Sequence, residues 1–131
     1  MMLALGLGCD RGTPAATIRQ AIDEALALAG ATLADVGAVA SIELKADEAG
    51  LLDLARGLGW TIRFYAAAEL AQVPVPNPSE TVRKYTGTPS VSEAAALLAA
   101  GSDLSQLLIE KHKRCGPDGR NVTVSIARIS A

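Results

Sequence analysis

The sequence predicts an α/β fold: a three-layer sandwich around a mostly parallel five-stranded sheet, with an antiparallel strand at the C-terminus. Three observations carry this expectation. Short apolar runs alternate with stretches of helical period through the first half of the chain, as parallel strands joined by crossover helices do. Two strand-like runs follow one another at the end, separated only by Cys115-Gly116-Pro117-Asp118-Gly119, a turn suited to antiparallel neighbours. Finally, hydrophobic types make up 50% of the chain, yet 25 residues are alanine and only four are Phe, Trp or Tyr. Such a core is built from Leu, Val and Ile against small faces, which suits helices packed closely on a sheet.

Each element has a local reason. Met2–Leu7 is a short apolar run ending at Gly8, read as a buried strand. Thr13-Pro14 supplies an N-cap and a first helical residue, because proline lacks only a donor that the helix leaves free there. Ile18, Ile22, Ala25, Leu26 and Ala29 then recur at helical spacing until Gly30. Val36–Leu44 is the second strand, and Asp47 opens a second helix striped by Leu51, Leu52, Ala55 and Leu58. Trp60–Tyr65 alternates as a third strand, and Ala66–Gln72 is a short helical turn.

Val73–Ser92 contains four of the six prolines and reads as a long connection, a kind that is usually functional in a small domain. Ser90-Val91-Ser92-Glu93 has the pattern of a capping box, with Glu93 reaching back to the helix start. That helix runs to Gly101; Leu107–Lys113 and Val122–Ala127 are the last two strands. Neither an internal repeat nor a second domain is visible, and residues 1–131 read as one domain.

Composition narrows the function classes. At 131 residues the chain can bury one core. With 20% charged residues and a formal net charge of -2, it is neither a generally basic nucleic-acid binder nor a disordered tail. No apolar run reaches the roughly 18 to 20 residues a membrane span needs. Met1–Leu7 lacks a basic leader and is too short for a signal peptide. Cys9 and Cys115 fit neither a metal spacing nor a disulfide framework. The expectation is a cytoplasmic protein with reduced thiols, without metal or cofactor.

The most informative stretch is Gly6-Leu7-Gly8-Cys9-Asp10-Arg11-Gly12-Thr13-Pro14, which leaves a strand and enters a helix. Free amides and the positive end of a helix dipole meet there, Gly8 and Gly12 allow close approach, and Arg11 offers a bidentate fork to a carboxylate or phosphate. The glycine spacing is neither the dinucleotide fingerprint nor a P-loop. Two readings stand: an anion-binding loop, or a structural glycine turn. Cys9 likewise has two, a nucleophile with its pKa lowered by Arg11, or a small buried strand residue.

Ligands of open α/β sheets sit beyond the carboxyl ends of the strands. The first strand delivers Cys9 and Arg11 there, and the second, if parallel, delivers Lys45 followed by Asp47 and Glu48. The third leads towards Ser79, Arg83, Lys84 and Thr88; a parallel fourth would bring Lys111, His112 and Lys113. The spacing of two puts Lys111 and Lys113 on one face with Leu107 and Ile109, and His112 on the other with Glu110. Cations converging on one edge of an acidic protein suit a polyanionic small molecule; the alternative is a solvated sheet end. No catalytic motif stands out. Cys9 and Glu48 are the candidate catalytic groups, although Glu48 and Glu93 both sit where helix starts favour a carboxylate.

Together these residues resemble a known family. Gly6–Gly12 is similar to its opening G-x-G-C-x-R-G, and Ser41–Glu48 followed by Gly50-Leu51 to its second block. Ser79–Val82, Gly87 and Ser90–Ala96 resemble its S-x-x-V…G…S-V-x-E-A-A-A block, while Lys111 and Val122–Ala127 match its ending. The family is the C-terminal domain of CbiG, found alone as CobE, in cobalamin biosynthesis. The resemblance spans nearly the whole chain and implies a precorrin or hydrogenobyrinic-type tetrapyrrole as ligand, with other pathway enzymes as partners. Full-length CbiG opens a ring-A lactone of a cobalt-precorrin and releases the extruded carbon as acetaldehyde. The resemblance to the stand-alone form implies a carrier, chaperone or accessory role, with precorrin-ring hydrolysis as the alternative. The ligand-binding residues it implies are Gly8, Cys9, Arg11, Gly12, Thr13, Lys45, Glu48, Ser79, Gly87, Ser90, Val91 and Lys111.

Overall fold

Leu3, Leu5 and Leu7 alternate with Ala4, Gly6 and Gly8, so a strand there presents one bulky face and one nearly flat face. A computed structural model describing residues 2–74 and 91–129 shows both faces used. The elements are β1 (Leu3–Cys9), α1 (Ala15–Leu28), β2 (Val36–Ile42), α2 (Ala49–Leu58), β3 (Ile62–Tyr65), α3 (Ala67–Ala71), α4 (Val91–Ala100), β4 (Leu107–Cys115) and β5 (Asn121–Arg128). The five strands lie in the order β3-β2-β1-β5-β4. Pairs β1–β2 and β2–β3 are parallel, whereas β1–β5 and β4–β5 are antiparallel, so β5 alone runs against the rest. The expected three-layer α/β sandwich is the fold of the chain.

The two faces differ in kind. On one, Leu3, Leu5, Leu7, Val39, Val122, Val124 and Ile126 pack against α1 and α2 through Ile18, Ile22, Leu51 and Leu54. On the other, Ala4, Ala40 and Ala127 meet Ala94, Ala95, Ala96 and Ala100 of α4, with Ile42, Leu70 and Leu97 at the margins. At the centre of this contact a Cβ built on Gly6 would lie 1.8 Å from the Ser92 carbonyl oxygen. The alanine excess in the composition is thus largely one interface, where helix and sheet backbones approach more closely than bulky side chains would permit.

Several boundaries depart from the sequence reading. Helix α1 starts at Ala15 with Pro14 as its N-cap; the Thr13 hydroxyl instead donates to the Asp10 carbonyl at 2.7 Å, closing the preceding turn. Strand β2 stops at Ile42 because Glu43–Lys45 form a 3-10 turn, and α2 begins at Ala49 with Glu48, not Asp47, at its N-cap. Strand β4 runs on to Cys115 and is bulged, with register shifts between Leu107 and Ile109 and between Ile109 and His112. The bulges overturn the expected single face. Leu107 packs on the α4 side and Ile109 on the α1 side, while Lys111 turns to α4 and His112 to α1.

Candidate functional site

Strands β1, β2, β3 and β4 point the same way, so their carboxyl ends share one rim. The rim is organised by the loop from β1 into α1. Asp10 ties that loop to β5, its Oδ2 accepting from the Asn121 amide at 2.8 Å and from Asn121 Nδ2 at 3.1 Å. Gly12 adopts φ 83°, a left-handed conformation that glycine takes without strain. A Cβ on Gly50 would lie 2.0 Å from the Thr13 carbonyl, so the first turn of α2 rests directly on the same loop.

Arg11 and Glu48 join the two loops. Arg11 Nη1 lies 3.0 Å from Asp47 Oδ1 and 3.3 Å from Glu48 Oε2, and Nη2 donates to the Leu44 carbonyl at 3.3 Å. The Gly12 amide donates to Glu48 Oε1 at 2.9 Å. Glu48 is only 3% exposed, and its Oε2 accepts no hydrogen bond among the described residues. Two expectations change here. The Gly12 amide is already taken by a carboxylate, and Arg11 already faces two. The signal for this was present in the acidic pair Asp47-Glu48, but the separation of 36 residues hid it.

Cys9 is half-buried on the α1 side, and its thiol is pushed up to about 11. Burial is the main cause; Lys45 and, more weakly, Arg11 pull the value down, while Glu48 and Asp10 push it further up. Of the two readings of Cys9, this fits the small buried strand residue, because desolvation penalises the thiolate more than nearby cations favour it. A thiol held there is protonated at neutral pH. Lys45, half-buried, exerts the strongest charge effect on this thiol. Its ammonium forms no hydrogen bond or ion pair among the described residues.

Lys111 belongs elsewhere. It sits in the middle of β4, its side chain 16% exposed, with Nζ 3.3 Å from Oε1 of the fully buried Glu93. Beside this pair the buried Ser125 hydroxyl donates to the Glu110 carbonyl at 2.6 Å and lies 2.9 Å from Ser92 Oγ. The rim role expected of Lys111 is thus replaced by a polar cluster beneath α4. The cap expected of Glu93 involves Ser90, which lies outside the described residues. Residues Ser92–Leu97 are all buried, so a carboxylate in this first turn finds its counter-ion across the sheet and not in water.

Gly8 serves contact with β5, since a Cβ there would lie 2.6 Å from Thr123 Oγ1. His112 Nε2 is 2.8 Å from Glu24 Oε1, and Arg114 pairs with the other oxygen of Glu24, fastening the edge strand to α1. Val91 is the first residue of α4. Ser79, Gly87 and Ser90, with Arg83, Lys84 and Thr88, lie outside the described residues. Sequence reasoning missed Asp10 and Arg120, whose Nε donates to the Arg11 carbonyl at 3.0 Å. Among the described residues no cluster of three or more potential ligands could hold a metal ion. None of the described helices is long and apolar enough to cross a membrane.

The rim can be set beside known proteins. Residues 3–127 match the family described as Cobalamin synthesis G C-terminus. The chain is 43% identical to the cobalt-precorrin-5A hydrolase of Priestia megaterium over 128 residues, which is 98% of this chain and 32% of that protein. It thus spans about a third of that relative's length. Identity to protein CobE of a Sinorhizobium species is 40% over 111 residues, covering 83% of this chain and 71% of CobE. The crystal structure of CobE, a protein from the cobalamin (vitamin B12) biosynthetic pathway, superposes with a TM-score of 0.79 at 34% identity, covering 98% of this chain and 91% of that one. A match that runs from β1 into β5, carried on a shared sheet, places this chain in the CobE and CbiG C-terminal family of cobalamin biosynthesis.

Proposed function

We propose that the chain binds a carboxylate-bearing corrin precursor at the strand-tip rim and serves cobalamin biosynthesis as a carrier, chaperone or accessory factor. The observation that carries this reading is Lys45, a half-buried lysine whose ammonium has no anion paired to it among the described residues. An ammonium that the protein itself leaves without a counter-ion is open to a carboxylate of the ligand. A charge-assisted hydrogen bond of this kind contributes about 1.5–3 kcal/mol. Leu44, exposed beside Lys45, adds apolar surface suited to a macrocycle. The protonated Cys9 thiol and the tethered Glu48 favour binding over covalent catalysis.

Titration of the chain with cobyrinic acid, a corrin heptacarboxylate, followed by corrin absorbance, tests the reading. Saturable binding is expected, weakened about tenfold or more in Lys45→Ala, with none by the neutral heptamethyl ester. No saturable binding, or equal binding of the ester, would overturn it.

A second reading has its own support. The Priestia megaterium relative is named a cobalt-precorrin-5A hydrolase, and Glu48 presents a buried carboxylate oxygen with no hydrogen bond among the described residues. Glu48 would then act as the general base that takes a proton from water attacking the lactone carbonyl. Acetaldehyde release from a lactone-bearing cobalt-precorrin by this chain alone, abolished in Glu48→Gln, would favour it; no release by the wild type would exclude it.

A further inference from the structure

The two carboxylates that face Arg11 differ in their fastening. Glu48 is buried and fixed by the Gly12 amide at 2.9 Å. Asp47 is 80% exposed, and Arg11, itself 62% exposed, is its ion-pair partner at 3.0 Å. The guanidinium holds the Asp47 carboxyl below the usual carboxylate range, so Asp47 is charged at neutral pH. We propose that Asp47 is an internal competitor at the rim, occupying the edge of Arg11 that a ligand carboxylate would take. This deepens the binding reading above and rests on it.

The consequence is selectivity. A monocarboxylate arriving at Arg11 only replaces one carboxylate by another, which leaves almost no net gain. A polycarboxylate that displaces Asp47 and places a second group on Lys45 gains a pairing the free protein lacks. Asp47 therefore sets a threshold that polyanionic ligands pass and small monocarboxylates do not. Because both members of the pair are exposed, the threshold is low, about twofold to fivefold in affinity.

The test is titration of cobyrinic acid against the wild type, Asp47→Asn, Arg11→Gln and the double variant at fixed ionic strength. Glu43→Gln, which neutralises an exposed carboxylate in the turn just before Lys45, controls for net charge. Asp47→Asn is expected to tighten binding about twofold to fivefold, more than Glu43→Gln does, and the gain is expected to vanish in the Arg11→Gln background. Binding by the wild type with no gain in Asp47→Asn, or a gain that persists without Arg11, would overturn this inference alone. Absence of binding in every protein, wild type included, would overturn the binding reading and this inference with it.

Discussion

Replacing Gly6 and Gly57 by alanine makes the same chemical change at two sites and should move stability in opposite directions. A Cβ on Gly6 would lie 1.8 Å from the Ser92 carbonyl oxygen and 2.6 Å from the Ala96 amide nitrogen. Both are backbone atoms of α4, so no side chain can swing aside. Ordinary contact requires the helix to retreat by about 1.5 Å, and gaps of that order forfeit much of the dispersion energy of a packed face. The buried faces of Ala94, Ala95 and Ala96 would open, as would the contacts of Ser92 with Ser125 and of Glu93 with Lys111. Overpacking against a fixed backbone costs about 3 kcal/mol, the upper part of the usual range. Gly57 is exposed in α2 with nothing within 4 Å of its missing Cβ, so alanine there should stabilise the chain by about 0.5 kcal/mol through helix propensity. Urea unfolding followed by circular dichroism reads both. With a slope near 1.5–2 kcal/mol per molar, Gly6→Ala lowers the midpoint by about 1.5–2 M, while Gly57→Ala raises it slightly. A Gly6→Ala protein as stable as the wild type would refute the account of the alanine interface.

Two further predictions concern buried charge. Lys111→Met removes the ammonium 3.3 Å from the buried Glu93 carboxylate and should destabilise by about 3 kcal/mol. Adding Glu93→Gln should recover part of that loss, and strictly additive effects in urea unfolding would contradict the coupling. Cys9 predicts a pH dependence. Its folded-state pKa of about 11 lies above the ordinary value of 9.0, so the stability it contributes is complete below pH 9 and lost as pH rises through 11. Unfolding curves across this window should lose that component in Cys9→Ala. Alkylation of Cys9 by iodoacetamide should be slow at pH 8 and quicken towards pH 11; rapid labelling at pH 7 would contradict the assignment.

How much of this was legible in the sequence depends on whether the information was local. Period and punctuation placed the described α-helices and strands, though not the 3-10 turns, because leucines alternating with small residues in β1 and glycines at positions 30, 59 and 101 mark faces and ends without tertiary help. The rim was legible for the same reason, since strand direction carries Arg11, Lys45 and Glu48 to one edge. What failed was long-range or cumulative. The bulges of β4 broke the two-residue spacing on which the facing of Lys111 and His112 depended. The burial of nearly all of α4, which sets Glu93 against Lys111, is cumulative in the same way. The pairing of Arg11 with Asp47 and the burial of Cys9 depend on loops 36 residues apart meeting in space. No local pattern records such meetings.

On the proposed reading the strand tips around Lys45 receive the carboxylates of a corrin ring. An NMR titration of the nitrogen-15-labelled protein with cobyrinic acid tests it most directly. The amides of Gly8, Arg11, Gly12 and Lys45 are expected to shift first and saturate together. Those at the opposite end of the sheet, where Gly101, Ser102, Asp103 and Gln106 line a shallow groove of about 440 Å³, should remain in place. Saturating shifts confined to that groove, with the rim amides unmoved, would contradict it.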